Sequence, residues 1–447
     1  MGDIVRWGLL VSLALVSWSF SPAEVGGVAP PGSSRLPFIR GLRVYNSANE
    51  LLPPFLMRSD RDTLGFSNQI AIEFDVGERL VPDLEIVFYH CDRDWVIDDN
   101  EFLRNEFRNT SFRLDYTPAP LGVLHYTYRF VNRFPDEEGI VQFPFSGNHI
   151  FQIVERETGD TLATGRIIVV DPVVGVEVRV DNEIIADETA PMNQAHRTRA
   201  KVQIPELELD DMAFAQLLHE GFVTTIDIYQ DQNLWQPHRV SFSDGNRWTR
   251  AEWTRSYERI FEHRRIYPGN HYRRLDFSDV RLYPPRRPVK LVRGVDLPRY
   301  LWQGTGDLRG GSKFVPQSGI YSDYLEVEFR LRVEPSPVKD VFVVGSFNQW
   351  MPRFEDRLRL DWRQRAYVGH RWLRRGIYDY YYMLGWWDPA ADSVTAQDWF
   401  TLEGNDWRTV RDYHVLVYYD DPRYGGFDRI IGMGKGTSPG GTSVTIE

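Results

Sequence analysis

Over residues 325–333, Leu325, Val327, Phe329, Leu331 and Val333 alternate with Glu326, Glu328, Arg330 and Arg332. A period of two places one set on each face of an extended chain, which predicts an antiparallel strand buried on one side. Val174, Val176, Val178 and Val180 repeat the pattern. Shorter apolar runs at 84–89, 150–154, 167–170, 341–344 and 415–418 suit the core strands of a sandwich. Helical periodicity is scarce, and 211–220 (DMAFAQLLHE) is the one segment that predicts an amphipathic helix, with Asp210 or Asp211 as its cap. Turn-forming clusters at 146–148, 268–270 and 304–311 separate the runs. No long alternation of strands with helices appears, which argues against a doubly wound or barrel α/β enzyme. The pattern predicts an all-β protein: several immunoglobulin-like β-sandwich domains in series, with few helices.

Boundaries follow shifts in composition. Residues 24–35 read as a linker, 36–172 as an N-terminal sandwich and 173–310 as a middle one. Residues 301–317 read as a connection, 318–420 as a C-terminal immunoglobulin-like domain and 421–447 as a tail, its Gly/Ser/Thr-rich part disordered. The chain's 447 residues suffice for several separate cores. At the amino terminus, an apolar stretch over 7–20 follows Arg6 and precedes Ser21, Pro22 and Ala23. This is the layout of an export signal over 1–23, too short for a comfortable membrane span. The mature chain is therefore expected outside the cytoplasm.

Charge narrows the function. The formal net charge is -11, which disfavours a general nucleic-acid binder. Residues 181–238 hold 3 basic and 11 acidic side chains, whereas 239–310 hold 16 and 8. Acidic and basic strands pairing across one sandwich would account for this swing. A sharper reading places a partner-docking patch at Arg264, Arg265, Arg273 and Arg274. The lone Cys91 rules out an intramolecular disulfide or a multi-cysteine zinc site. His90 and Cys91 would face opposite sides of a strand and cannot easily share a metal. Residues 436–440 (GTSPG) match a nucleophile elbow in spelling only, since an elbow needs a strand before it and a helix after it. No catalytic residue, cofactor site or metal site is expected.

Seven of the 14 Trp lie within 350–407. Aromatic faces stack on sugar rings, so Trp350, Trp372, Trp386 and Trp387 make a carbohydrate-binding module the alternative reading. The competing reading is structural: Phe347 and Trp350 anchor a tight turn, and Tyr378, Tyr380 and Tyr382 form one face of the next strand.

Residues 84–95 (LEIVFYHCDRDW) resemble the hallmark block of the plug proteins of the type IX secretion system of Bacteroidota. Further blocks follow in the family's order at 146–153 (SGNHIFQI), 232–235 (QNLW), 267–277 (YPGNHYRRLDF), 345–350 (GSFNQW) and 376–382. The resemblance spans roughly 36–420. Arg93 stands where the family usually has Ala, and His271 where it usually has an acidic residue. The resemblance implies a periplasmic, non-enzymatic subunit that occludes the periplasmic end of a giant outer-membrane translocon barrel when no cargo engages it. Its partner would be that barrel, with no nucleic acid, membrane span or small-molecule substrate.

Overall fold

The computed structural model describes residues 38–440, apart from 60–63, 105–107, 186–193, 206–219, 256, 301–305, 317 and 335–336. The expected signal (1–23) and linker (24–35) lie outside the described residues. So does the expected helix, except for Glu220, which opens the 3-10 turn Glu220–Phe222. The described residues form strands, short 3-10 turns and loops, with no α-helix among them. The protein is all-β, built of several sandwiches.

The N-terminal sandwich packs two sheets. One runs Ile39–Asn46, Ile70–Val76, Tyr128–Phe134, Tyr116–Pro118; the other Phe55–Met57, Thr161–Val170, Gly147–Glu155, Leu84–Cys91, Thr110–Ser111. Ile72, Phe74, Ile86, Phe88, Phe130 and Phe151 fill the space between them. In Leu84–Cys91 the buried positions alternate, as period-two patterning requires.

The middle sandwich departs from the expected boundaries. Its first sheet is Gly175–Ile184, Gln194–Gln203, Glu258–Ile266 and Thr249–Arg255. Its second is His238–Ser241, Thr225–Gln230, Asp412–Asp421 and Phe427–Thr437. Two of those strands come from beyond position 410, so the chain leaves this sandwich after Ile266 and returns to finish it. The third sandwich is inserted in between. Arg273–Asp276 and Ser312–Phe314 both pair with the long strand Gly376–Asp388, and Val289–Lys290 pairs in parallel with Tyr324–Leu331. The expected boundaries at 310 and 420 therefore move to about 267 and 411, and part of the expected connection is strand. Leu325, Val327, Phe329 and Leu331 form the core with Tyr378, Tyr380 and Tyr382, the tyrosine face expected from the alternation.

The expected disordered tail is the largest correction. Phe427–Thr437 is an edge strand whose Gly432, Gly434 and Gly436 lie along one face. Val174, Val176 and Val178 press against that face so closely that a Cβ at Gly434 would lie 2.6 Å from Val178 Cγ2 and 2.7 Å from the Val176 carbonyl oxygen. Glycine with period two, opposite valine with period two, lets the sheets approach more closely than any side chain permits. Gly434→Val should cost at least about 1–3 kcal/mol, the usual range for overpacking a core. Chemical denaturation should show a lower midpoint, whereas a change at exposed Trp362 should leave it in place.

Candidate functional site

Among the described residues no group of His, Cys, Asp and Glu is arranged to hold a metal. Polar chemistry collects instead where the sandwiches meet, in three seams.

The first joins the N-terminal and middle sandwiches. After Leu84–Cys91 the chain turns sharply, with Trp95 at φ 65 and Asp92 accepting the N–H groups of Asp94 and Val96 at 2.9 Å. This aims Arg93 at Asp428, to which it donates from its backbone N at 2.8 Å and its Nε at 2.9 Å, with Asp420 also in contact. Arg239 answers from the other side, binding Asp227 through Nε at 2.7 Å, Asp94 at 2.5 Å and the Arg93 carbonyl at 2.8 Å. Beneath these charges Trp95, Ile168 and Val170 pack against Tyr229, Leu416, Tyr418 and Ile430.

The second joins the N-terminal and third sandwiches. Arg374, with its side chain fully buried, reaches Asp75 at 3.0 and 3.1 Å, and Tyr324 donates its hydroxyl to the same carboxylate at 2.9 Å. Arg43 donates to Glu73 at 2.7 Å and to the Ser312 carbonyl at 3.1 Å, lying 3.7 Å over the Phe314 ring. Burial pushes the Asp75 carboxyl up to about 6, against the pull of Arg374.

The third centres on Arg411. Neither it nor Asp231 is exposed, and they pair at 2.8 Å. The guanidinium also donates to the Pro268 carbonyl at 2.9 Å, the Tyr381 hydroxyl at 2.8 Å and the Asn270 carbonyl, and sits 4.1 Å over the Tyr272 ring. Burial opposes its charge, but Tyr272, Tyr381 and Asp231 outweigh that and hold it ionised. Trp350 packs beside this group, donating Nε1 to the Gly310 carbonyl at 2.8 Å. It is aimed there by two successive left-handed residues, Gln349 and Trp350. Near the meeting point of all three sandwiches Arg166 is flanked by the rings of Trp95 at 4.3 Å and Trp235 at 3.5 Å. No carboxylate pairs with it among the described residues, and burial lowers its pKa to about 10.

These placements correct the expected docking patch. Arg273 is buried and paired with Glu403 at 2.8 Å, and Arg264 is paired with Glu183. Arg265 bonds the Tyr267 hydroxyl and lies 4.7 Å over Trp248. Arg274 is the exposed one, donating to the Gly306 carbonyl at 2.9 Å. Adjacent residues on a strand face opposite ways, so the pair Arg273 and Arg274 presents one side chain, not two. Arg264 to Glu183 and Arg239 to Asp227 join the base-rich stretch to the acid-rich one within the middle sandwich, whereas Lys201 to Glu258 runs the other way.

The tryptophans form no common platform either. Trp350 is buried; Trp372 lies 4.6 Å from the His125 ring in the second seam; Trp386 is exposed and Trp387 packs on Phe354. His90 bonds Asp98 at 2.5 Å, while Cys91 is fully buried with its thiol pushed up to about 12. Ser438, the spelled nucleophile, is buried and accepts the Arg411 backbone N–H at 2.9 Å.

The chain matches no protein-family model and no curated protein. It is similar in fold to the crystal structure of a hypothetical protein from Parabacteroides merdae, with a TM-score of 0.69, 20% identity, and coverage of 90% of this chain and 97% of that one. At that identity the likeness is one of fold.

Two outcomes test the seams. Arg411→Met leaves Asp231 buried without its partner and should cost about 3–5 kcal/mol, the range for breaking a buried pair. Adding Asp231→Asn should recover part of that, so a double-mutant cycle giving simple additivity would remove the pair from the account. Asp379 is buried near Asp307, and burial first, then that neighbour, pushes its carboxyl up to about 7. A carboxyl raised above its unfolded value of about 4 binds more protons when folded, so its contribution to stability is full below about pH 4 and lost as pH rises through about 7. Asp379→Asn should therefore flatten the stability profile between pH 4 and 7 and leave the variant more stable than the parent at pH 8.

Proposed function

We propose that this chain is a non-enzymatic occluding subunit: an exported, periplasmic plug held under the type IX secretion translocon of the outer membrane while no cargo engages it. One observation carries the reading. The blocks that resemble the plug family coincide with the seams. Residues 84–95 supply Arg93 and Asp94 to the first seam. Residues 232–235 supply Trp235, which donates to the Gln349 carbonyl at 2.7 Å. Residues 267–277 supply Pro268, Asn270 and Tyr272 to the Arg411 cluster, and 345–350 supply Trp350. What the resemblance marks is thus the locking of three sandwiches into one body, not a reaction centre.

Such a body suits a stopper. A hole too wide to be filled by the barrel's own side chains needs a separate protein to close it. About 400 residues packed at ordinary density have a radius of gyration near 22 Å, enough to span a broad mouth. Arginine–carboxylate pairs at each seam, buried in the second and third, resist the hinge motions that linked domains otherwise show. Both residues that depart from the family pattern are absorbed into this locking: Arg93 binds Asp428, and His271 lies 3.1 Å from Asp307.

The test is retrieval of the tagged chain from cells that encode the translocon. It should co-purify with the outer-membrane barrel, and deletion of its gene should admit large antibiotics that the outer membrane normally excludes. A chain recovered without the barrel, in cells whose outer membrane stays tight after deletion, would defeat the proposal.

A further inference from the structure

Residues 281–300 (RLYPPRRPVKLVRGVDLPRY) form a strap on the third sandwich. Its anchors are clear. Val289 and Leu291 are buried in the core, Val289–Lys290 pairs with Tyr324–Leu331, and buried Arg375 donates to the carbonyls of Phe277 at 2.9 Å and Tyr283 at 2.6 Å. Pro284, Pro285 and Pro288 restrict the backbone between those anchors, so little freedom remains there to be lost on binding.

What the strap turns outward is unusual for a chain of net charge -11. The strap carries six cations against the single carboxylate Asp296, but Arg299 turns inward to buried Glu403 and Arg281 pairs with Asp279. Asp296 is engaged inward by Arg273 and by the hydroxyls of Tyr380 and Tyr382. The side chains of Arg286, Arg287 and Lys290 make no hydrogen bond or ion pair with any described residue. Further along the strap Val292 is 89% exposed, Tyr300 79% and Leu297 56%. With Arg274 and Tyr283 these three side chains line an open cleft of about 910 Å³. Exposed apolar side chains gathered in a concave, charged setting mark a contact surface, and an aromatic with arginines is the composition of contact hot spots.

We propose that this strap and its cleft are the docking surface for an acidic protein segment carrying apolar side chains, the carboxylates meeting Arg286, Arg287 and Lys290 and the apolar groups entering beside Val292, Leu297 and Tyr300. The occupant must be negative, because the strap holds three cations with no internal counter-charge. It is a protein segment rather than a lipid surface because the apolar side chains line a cleft, whereas binding to a bilayer favours a protruding apolar face. Resting on the proposed function, the inference assigns that segment to the periplasmic rim of the barrel.

Photo-crosslinking residues placed in cells at Val292 and Tyr300, with Leu80 and Trp362 as exposed controls, test it in the full chain. The strap positions should capture the barrel through a peptide richer in Asp and Glu than in Lys and Arg, and the controls should not. Arg286→Glu with Arg287→Glu and Lys290→Glu should lower barrel recovery at least tenfold while leaving the melting temperature unchanged. Capture of the barrel by the controls and not by the strap overturns this inference and leaves the plug reading standing. Capture from no position overturns both. Crosslinks to lipid, or binding of the purified chain to phosphatidylglycerol vesicles that the triple substitution abolishes, overturn it in favour of a membrane surface.

Discussion

Arginine held against carboxylate at every boundary between sandwiches, half-buried in the first seam and buried in the other two, is the interaction on which the architecture depends. Removing two charges from water costs several kcal/mol per ion, and their attraction repays this only where geometry is good and the remaining donors find acceptors. Arg411 meets that condition with Asp231, two carbonyls and a tyrosine hydroxyl. A planar five-donor group can do so where an ammonium cannot, which gives physical meaning to a chain with only five lysines among its 52 basic residues. Such pairs add little net stability compared with a well-packed apolar interface. Their effect is to penalise other arrangements, because any slip of one sandwich against another strands a buried charge.

The seams also account for groups that would otherwise be read as signs of a reactive site. Several ionisable groups are perturbed, among them Asp75, Asp379 and Arg166, and perturbed groups often mark catalytic centres. Here each sits at an internal boundary, with burial as the main cause of its shift. Three sandwiches meeting closely produce many buried polar groups without needing any of them to react.

Much of the fold was legible in the sequence because it is local. Alternation over 325–333 marks the strand observed at Tyr324–Leu331, and the valines from Val174 to Val180 mark the strand Gly175–Ile184. Partner choice between strands is non-local, and there the sequence was silent: nothing in 273–276 announces that it pairs with a strand a hundred positions later. The glycines at 432, 434 and 436 were readable only as low complexity, since their meaning lies in the valines that face them. Of the docking patch, Arg274 is exposed and Arg273 buried, which the alternation of strand side chains could have foretold; Arg264 and Arg265 are both half-buried, since Arg265 at φ 60 breaks that alternation. The strap escaped notice because its prolines carry no periodicity, and only burial separates its anchors from its outward side chains.

The insertion of one sandwich within another sets the order of assembly. The sheet built from Thr225–Gln230 waits for Asp412–Asp421 and Phe427–Thr437, the last strands described. Until they arrive, the valine face of Gly175–Ile184 has no glycine edge to lie against. A chain halted during synthesis or clipped before position 412 would hold two sandwiches capable of closing and a third left ajar. The nesting therefore makes closure of the middle sandwich depend on strands that follow the whole of the inserted one.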